Sequence, residues 1–141
     1  CGRGATVLRA LLIAGRWMPP LIVIGALAWP FLAGRLRTYA IEGGSMEPAL
    51  AAGDWVVVDL GADAPVGEIV VATRPDRPEL EVIKRVAERN AEGACFLLGD
   101  NAAQSTDSRQ WGWVEPEAVS GVVRFRYWPA MRAGRIRSRK G

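Results

Sequence analysis

From Trp17 to Gly34 the chain reads WMPPLIVIGALAWPFLAG, 18 residues without a charged side chain, bounded by Arg16 on one side and by Arg35 and Arg37 on the other. An uncharged run of that length has to leave water, for a protein core or for lipid. It lies at the lower end of what crosses a hydrocarbon layer roughly 30 Å thick, and Trp17 and Trp29 suit the two interfaces. Pro19 and Pro20 stand at the entrance of the expected helix, where proline is tolerated, whereas Pro30 interrupts it. A buried core helix or the apolar region of a signal peptide reads the same way. The expectation taken here is a single membrane-spanning anchor over 17–34. Arg3, Arg9, Arg16 and the terminal amine precede it and two arginines follow it, which predicts a cytoplasmic N-terminus and an extracytoplasmic remainder.

Beyond the anchor the text changes to short apolar or alternating runs separated by Gly, Pro, Asp and Asn, the pattern of a small, mainly β body. Strands are predicted over 55–60 (WVVVDL), 68–73 (EIVVAT), 80–86 (LEVIKRV), 94–98 (ACFLL) and 119–128 (VSGVVRFRYW). In the last of these, Val123, Phe125 and Tyr127 share one face and Arg124 and Arg126 the other, so the first face is expected to be core. The terminal MRAGRIRSRKG is arginine-rich with little to bury and is expected to be a disordered tail. The division that follows is a basic segment and anchor over 1–37, a catalytic body over 38–129, and a tail over 130–141.

With 141 residues there is room for one domain and at most one appended segment. The formal charge of +3 comes from basic residues gathered at both ends, which argues against one nucleic-acid-binding face. Cys1 and Cys95 are too few for a disulfide framework and are read as free thiols. A cysteine in first position is expected of a trimmed sequence, or of a lipid-bearing N-terminus.

The chain has no histidine, two lysines and sixteen arginines. A nucleophilic serine needs a base; without imidazole the Ser/His/Asp arrangement is excluded, and arginine does not deprotonate in proteins. Lys140 belongs to the tail, which leaves Lys84. Strand periodicity puts it on the face of Val82 and Val86 and turns Arg85 away with Ile83. To act as a base near neutrality its pKa, ordinarily about 10.4, has to fall by roughly two to three units, which apolar burial can bring about. A snorkelling lysine on an edge strand has the same local sequence.

The candidate nucleophile is Ser45, in Gly43-Gly44-Ser45-Met46-Glu47-Pro48. Two glycines let backbone approach a substrate closely, and N–H groups at Gly43, Gly44 or Ser45 can face a developing oxyanion. An ordinary surface loop also uses Gly-Gly-Ser. The third stretch, GDNAAQSTDSRQWG, carries Gly99, Asp100, Asn101, Ser105, Asp107, Ser108 and Arg109, side chains that fix loops by hydrogen bonds and carboxylate–guanidinium pairs. An Asx-rich loop fits too. A calcium loop does not, since the carboxylate spacing matches no EF-hand; neither metal nor cofactor is expected.

Taken in order, GSMEP at 44–48, GEIVV at 67–71, IKRV at 83–86 and GDNAAQSTDSR at 99–109 resemble the signal peptidase I family of serine/lysine endopeptidases. The resemblance spans about Ile41 to Arg126. It implies a signal-peptidase-like β-barrel or sandwich with Ser45 as nucleophile, Lys84 as general base, Ser105 orienting the lysine, and Asp107 and Arg109 as a structural ion pair; Met46 and the remaining loop residues are support. It also implies a precursor protein with a cleavable N-terminal leader as substrate, membrane lipid as a partner, and small residues before the cleaved bond. Many members carry a serine two residues before the nucleophile as an oxyanion donor; here Gly43 stands there, and the backbone must carry more. Only 12 residues, 87–98, separate IKRV from GDN, with no room for the long insertion of larger bacterial enzymes. That compactness, with STDSRQWG and RFRYWP, is similar to the subgroup of nickel-type superoxide dismutase maturation proteases. The alternatives are a general type I signal peptidase, a self-cleaving regulatory domain built on the same residue pair, and a non-enzymatic membrane-anchored β module.

Overall fold

The computed structural model describes residues 22–139, and the chain divides into two compact units, residues 1–34 and 35–141. In the first unit, residues 22–32 form a helix, α1, closed by a turn in which Gly34 adopts φ +70°. Its side chains are apolar and uncovered: Ile22, Ile24, Leu27, Trp29 and Leu32 are all exposed. At 1.5 Å per residue the 11 described residues of this helix extend about 16 Å, roughly half of a hydrocarbon layer. Among the described residues no helix is long and apolar enough to cross a membrane, so the single-pass anchor expected over 17–34 is not supported. The left-handed turn at Gly34 closes the helix where the expected span ends; positions 17–21 of that span lie outside the described residues, as do Cys1, Arg3, Arg9, Arg16 and Lys140.

The second unit is one antiparallel sheet of seven strands: β1 (Leu36–Ala40), β2 (Trp55–Leu60), β3 (Ile69–Thr73), β4 (Glu81–Arg89), β5 (Cys95–Leu98), β6 (Val119–Trp128) and β7 (Gly134–Arg135). The order is β1-β2-β6-β3-β4-β5, with β7 added to β6. The mainly β expectation therefore holds, in the form of a single sheet. β3 shows why its sequence is apolar without alternation. Ile69 and Val71 join Met46, Leu50, Val56, Val58 and Val123 in one cluster, while Val70 and Ala72 join Val86, Cys95, Leu97, Val114 and Val122 in another. Successive residues of a strand point to opposite faces, so both faces of β3 are covered. Full burial of each such valine is worth about 1.5–3 kcal/mol over leaving it exposed.

Three details depart from the sequence reading. β1 begins at Leu36, inside the stretch assigned to the anchor, and is the partner of β2. On β6 only Val123 of the expected core face is buried, whereas Phe125 and Tyr127 are exposed; the β2–β6 register shifts twice, between Trp55 and Val56 and between Val57 and Val58, and alternation does not survive such bulges. Residues 130–139, expected as a disordered tail, contribute β7, and Ile136 packs against the first cluster. The tail also satisfies polar groups: the Arg139 N–H donates to the Gly67 carbonyl, and Arg132 pairs with buried Asp54. Counting apolar residues alone missed these polar anchors.

Candidate active site

Ser45 follows β1 in the turn that leads to β2. Gly43 has φ +71°, a conformation that side-chain-bearing residues avoid, and a Cβ on Gly44 would collide with the Gln104 side chain. On the other side Met46, 2% exposed, plugs the turn into the first core cluster, and the Leu50 N–H donates to its carbonyl at 2.9 Å. Ser45 is thus pinned from behind with its hydroxyl free to face a neighbouring strand.

That strand is β4. Lys84 is paired with Val70 and Ile83 with Val71, so Lys84 lies on the face of Val70 and opposite Ile83. Its Nζ is 2.8 Å from Ser45 Oγ, and the residue is 5% exposed. Burial pushes the Lys84 pKa down from the usual lysine range; Asp107 opposes that shift by attraction and Arg74 adds to it by repulsion. A partly desolvated amine at hydrogen-bond distance from a hydroxyl can accept its proton once neutral.

The 99–109 loop holds this pair together. The Asn101 N–H donates to the Ser45 carbonyl at 2.9 Å, and a Cβ on Gly99 would lie 2.7 Å from the same oxygen while overlapping Ser105. Asp107, wholly buried, accepts from the Gly99 N–H at 3.0 Å, the Ser105 hydroxyl at 2.7 Å and the Arg109 guanidinium at 2.8 and 2.7 Å. Burial alone would push the Asp107 carboxyl up, but these donors, Arg109 foremost, outweigh it and hold the group well below the ordinary carboxylate range. Asp107 also caps a short helix, α2 (Ser108–Trp111), in a capping box completed by the Gln110 side chain. Ser108 Oγ accepts from the Leu97 N–H at 2.8 Å. Ser105 reaches Lys84 only indirectly, since its hydroxyl is engaged by the carboxylate that attracts the lysine.

Asp100 turns the other way, to a buried bidentate pair with Arg85 at 2.8 and 2.6 Å, and Arg85 further donates to the carbonyls of Gly67 and Arg137. The sequence reading left Arg85 without a partner; its place directly after Lys84, with an aspartate in the third motif, was the available signal. Likewise the Asp107-x-x-Gln110 spacing announced a capped helix that was not read. Also unread was the wall of the site. Tyr39, Ile41, Glu42, Met46, Glu81 and Ile83 border a cavity of about 310 Å³ into which Ser45 and Lys84 open. Among the described residues no group of three His, Cys, Asp or Glu converges as a metal site would require.

Comparison with known proteins places the chain among the serine endopeptidases. More narrowly, it belongs to the signal peptidase family, peptidase S26, whose family model matches residues 14–90 and 87–128. It is 29% identical over 119 residues to mitochondrial inner membrane protease subunit 1 of Xenopus tropicalis, covering 68% of this chain and 71% of that protein. The subunit of the same name from Schizosaccharomyces pombe is 26% identical over 145 residues, covering 83% and 90%. Signal peptidase I of Bacillus caldolyticus is 51% identical over 37 residues, a match that spans 26% of this chain and only 20% of that enzyme.

Proposed function

We propose that this protein is a Ser/Lys endopeptidase that removes an N-terminal leader from a precursor protein, and that the precursor is a nickel-type superoxide dismutase. The observation that carries the peptidase reading is the 2.8 Å approach of a buried lysine amine to the Ser45 hydroxyl in a chain without histidine. In this reading neutral Lys84 takes the Ser45 proton as Oγ attacks the scissile carbonyl carbon. The oxyanion is met by backbone N–H groups at Gly43, Gly44 and Ser45. The Lys84 ammonium then protonates the departing amine, leaving an ester on Ser45. Lys84 next deprotonates a water that attacks the ester, and the released Ser45 oxygen recovers the proton. Ser105, Asp107 and Arg109, with Gly99, Asp100, Asn101 and Ser108, keep the two reacting side chains in register.

The sheet offers a way to hold an extended substrate. β1 is an edge strand, and β5 pairs with β4 only from Arg85 onward, so Glu81–Lys84 have a free edge as well. Both edges border the cavity, and a leader lying between them as an added strand would present its peptide bond to Ser45.

The superoxide dismutase assignment rests on the short 87–98 connection and on the STDSRQWG and RFRYWP text. Association with a membrane rests on the uncovered apolar helix and on relatives named as inner membrane proteases. The extracytoplasmic orientation rests on Arg3, Arg9 and Arg16, outside the described residues, against Arg35 and Arg37 within them. To test the whole, wild type and Ser45→Ala are incubated with a nickel superoxide dismutase precursor and with a secretory precursor, and new N-termini are sequenced. A dismutase precursor left intact while the secretory precursor is cut would replace this reading with a general signal peptidase. Cleavage that persists in Ser45→Ala would remove the assigned nucleophile.

A further inference from the structure

We infer that a second cavity, walled by residues 135–139, is a binding site for a phosphate group, held by the guanidiniums of Arg135, Arg137 and Arg139. It has a volume of about 420 Å³, and neither Ser45 nor Lys84 borders it. Its charge is unbalanced. Among the described residues eight arginines pair with an aspartate and five do not: Arg37, Arg77, Arg135, Arg137 and Arg139. Three of those five border this one cavity. The carboxylate on its wall, Asp100, is taken up through both oxygens by Arg85, and Arg126 is occupied by Asp54 and by the Ala49 and Arg132 carbonyls.

The segment is seated on the sheet by its main chain. Arg135 pairs with Phe125 of β6, the Arg137 carbonyl accepts from Arg85 at 3.2 Å, and the Arg139 N–H donates to the Gly67 carbonyl at 3.1 Å. Gly67 has φ +96°, and a Cβ there would collide with the Arg139 carbonyl, so the segment fits against a position that only glycine fills. These contacts leave the three guanidiniums to the cavity. Three cations within five residues repel one another unless an anion sits among them. A guanidinium offers paired N–H groups to two oxygens of one anion, and a tetrahedral phosphate has the oxygens and the charge for several such forks, where a carboxylate serves one. The Ser138 hydroxyl on the same wall adds a neutral donor, and Pro48, Ala49 and Ile136 give an apolar side for the organic part of a phosphate ester.

The test uses the full chain in detergent, titrated calorimetrically with inorganic phosphate, and the same chain added to phosphatidylcholine nanodiscs with and without phosphatidic acid. The Arg135→Gln/Arg137→Gln/Arg139→Gln protein is expected to bind the phosphate probe about tenfold more weakly than wild type, the scale of three exposed ion pairs, with the difference shrinking in high salt. The Arg37→Gln/Arg77→Gln protein, which loses unpaired arginines elsewhere, should bind as wild type does. None of the five side chains makes an ion pair in the fold, so urea midpoints without ligand should match; the bound probe should raise the midpoint of wild type and not that of the triple variant. A response to inorganic phosphate identifies the free ion as ligand, and a response confined to the phosphatidic acid discs identifies a lipid headgroup. No binding of either probe, equal binding to wild type and the triple variant, or a hexaglutamate peptide that binds wild type more tightly than both probes would overturn the inference.

Discussion

Replacing Gly99 by alanine adds one methyl group where the structure leaves no space. The new Cβ would overlap the Ser105 side chain and stand 2.7 Å from the Ser45 carbonyl oxygen. Close carbon–oxygen contacts lie near 3.4 Å, so that carbonyl would have to retreat by about 0.7 Å. The retreat strains the Asn101 N–H bond at 2.9 Å and carries Ser45 with it. Misplacement on the order of 1 Å at a reacting centre costs about a hundredfold in rate, and overpacking costs about 1–3 kcal/mol in stability. Gly99 has an ordinary negative-φ backbone, so the effect is steric alone. We expect Gly99→Ala to lower kcat for leader removal about a hundredfold while the protein still unfolds cooperatively, measured by precursor cleavage beside thermal denaturation. Adding Ser105→Gly deletes the overlapping side chain and should restore stability more than rate, because the Ser45 carbonyl contact remains. A Gly99→Ala enzyme within threefold of wild type would refute the packing argument.

Further perturbations probe the charges. Lys84→Arg keeps a cation beside Ser45 but cannot accept a proton, so cleavage should fall to background in a folded protein; turnover at the wild-type rate would remove Lys84 from the mechanism. The pH profile of kcat/KM should rise with deprotonation of Lys84 below the usual lysine range, and Arg74→Gln, which removes a cation that lowers that pKa, should move the rising limb to higher pH. Because Lys84 binds its proton less well folded than unfolded, stability should increase with pH from its depressed value up to about 10.4, and Lys84→Met should flatten this slope in denaturant titrations. Asp100→Asn leaves Arg85 buried without its anion and should destabilise the fold by about 3 kcal/mol, read from urea unfolding.

Much of this was legible in the chain because a strand's period is short and its punctuation explicit. WVVVDL, CFLL and VSGVVRFRYW appear as β2, β5 and β6 with ends within a residue of the reading. Ser45 and Lys84 could be singled out from chemistry, since a chain without histidine offers few bases. What the text withheld were features fixed by pairing at a distance. β1 is a polar five-residue strand with no apolar period, and it exists because β2 needs a neighbour. Phe125 and Tyr127 fit a core face in isolation and lost it to bulges that only the β2 register creates. The arginine-rich tail looked unfoldable by composition because its contribution is one isoleucine and a series of polar contacts, not apolar area.

The Arg85 guanidinium is completed by three partners from different parts of the chain: Asp100, the Gly67 carbonyl and the Arg137 carbonyl. Arg85 and Arg137 lie 52 positions apart, so the strand that bears Lys84 is braced from behind only once β7 has joined β6. A chain cut between β6 and β7 would keep Ser45 and Lys84 but lose the carbonyl that holds the neighbouring guanidinium, so the last strand of the sheet steadies a site to which it lends no side chain.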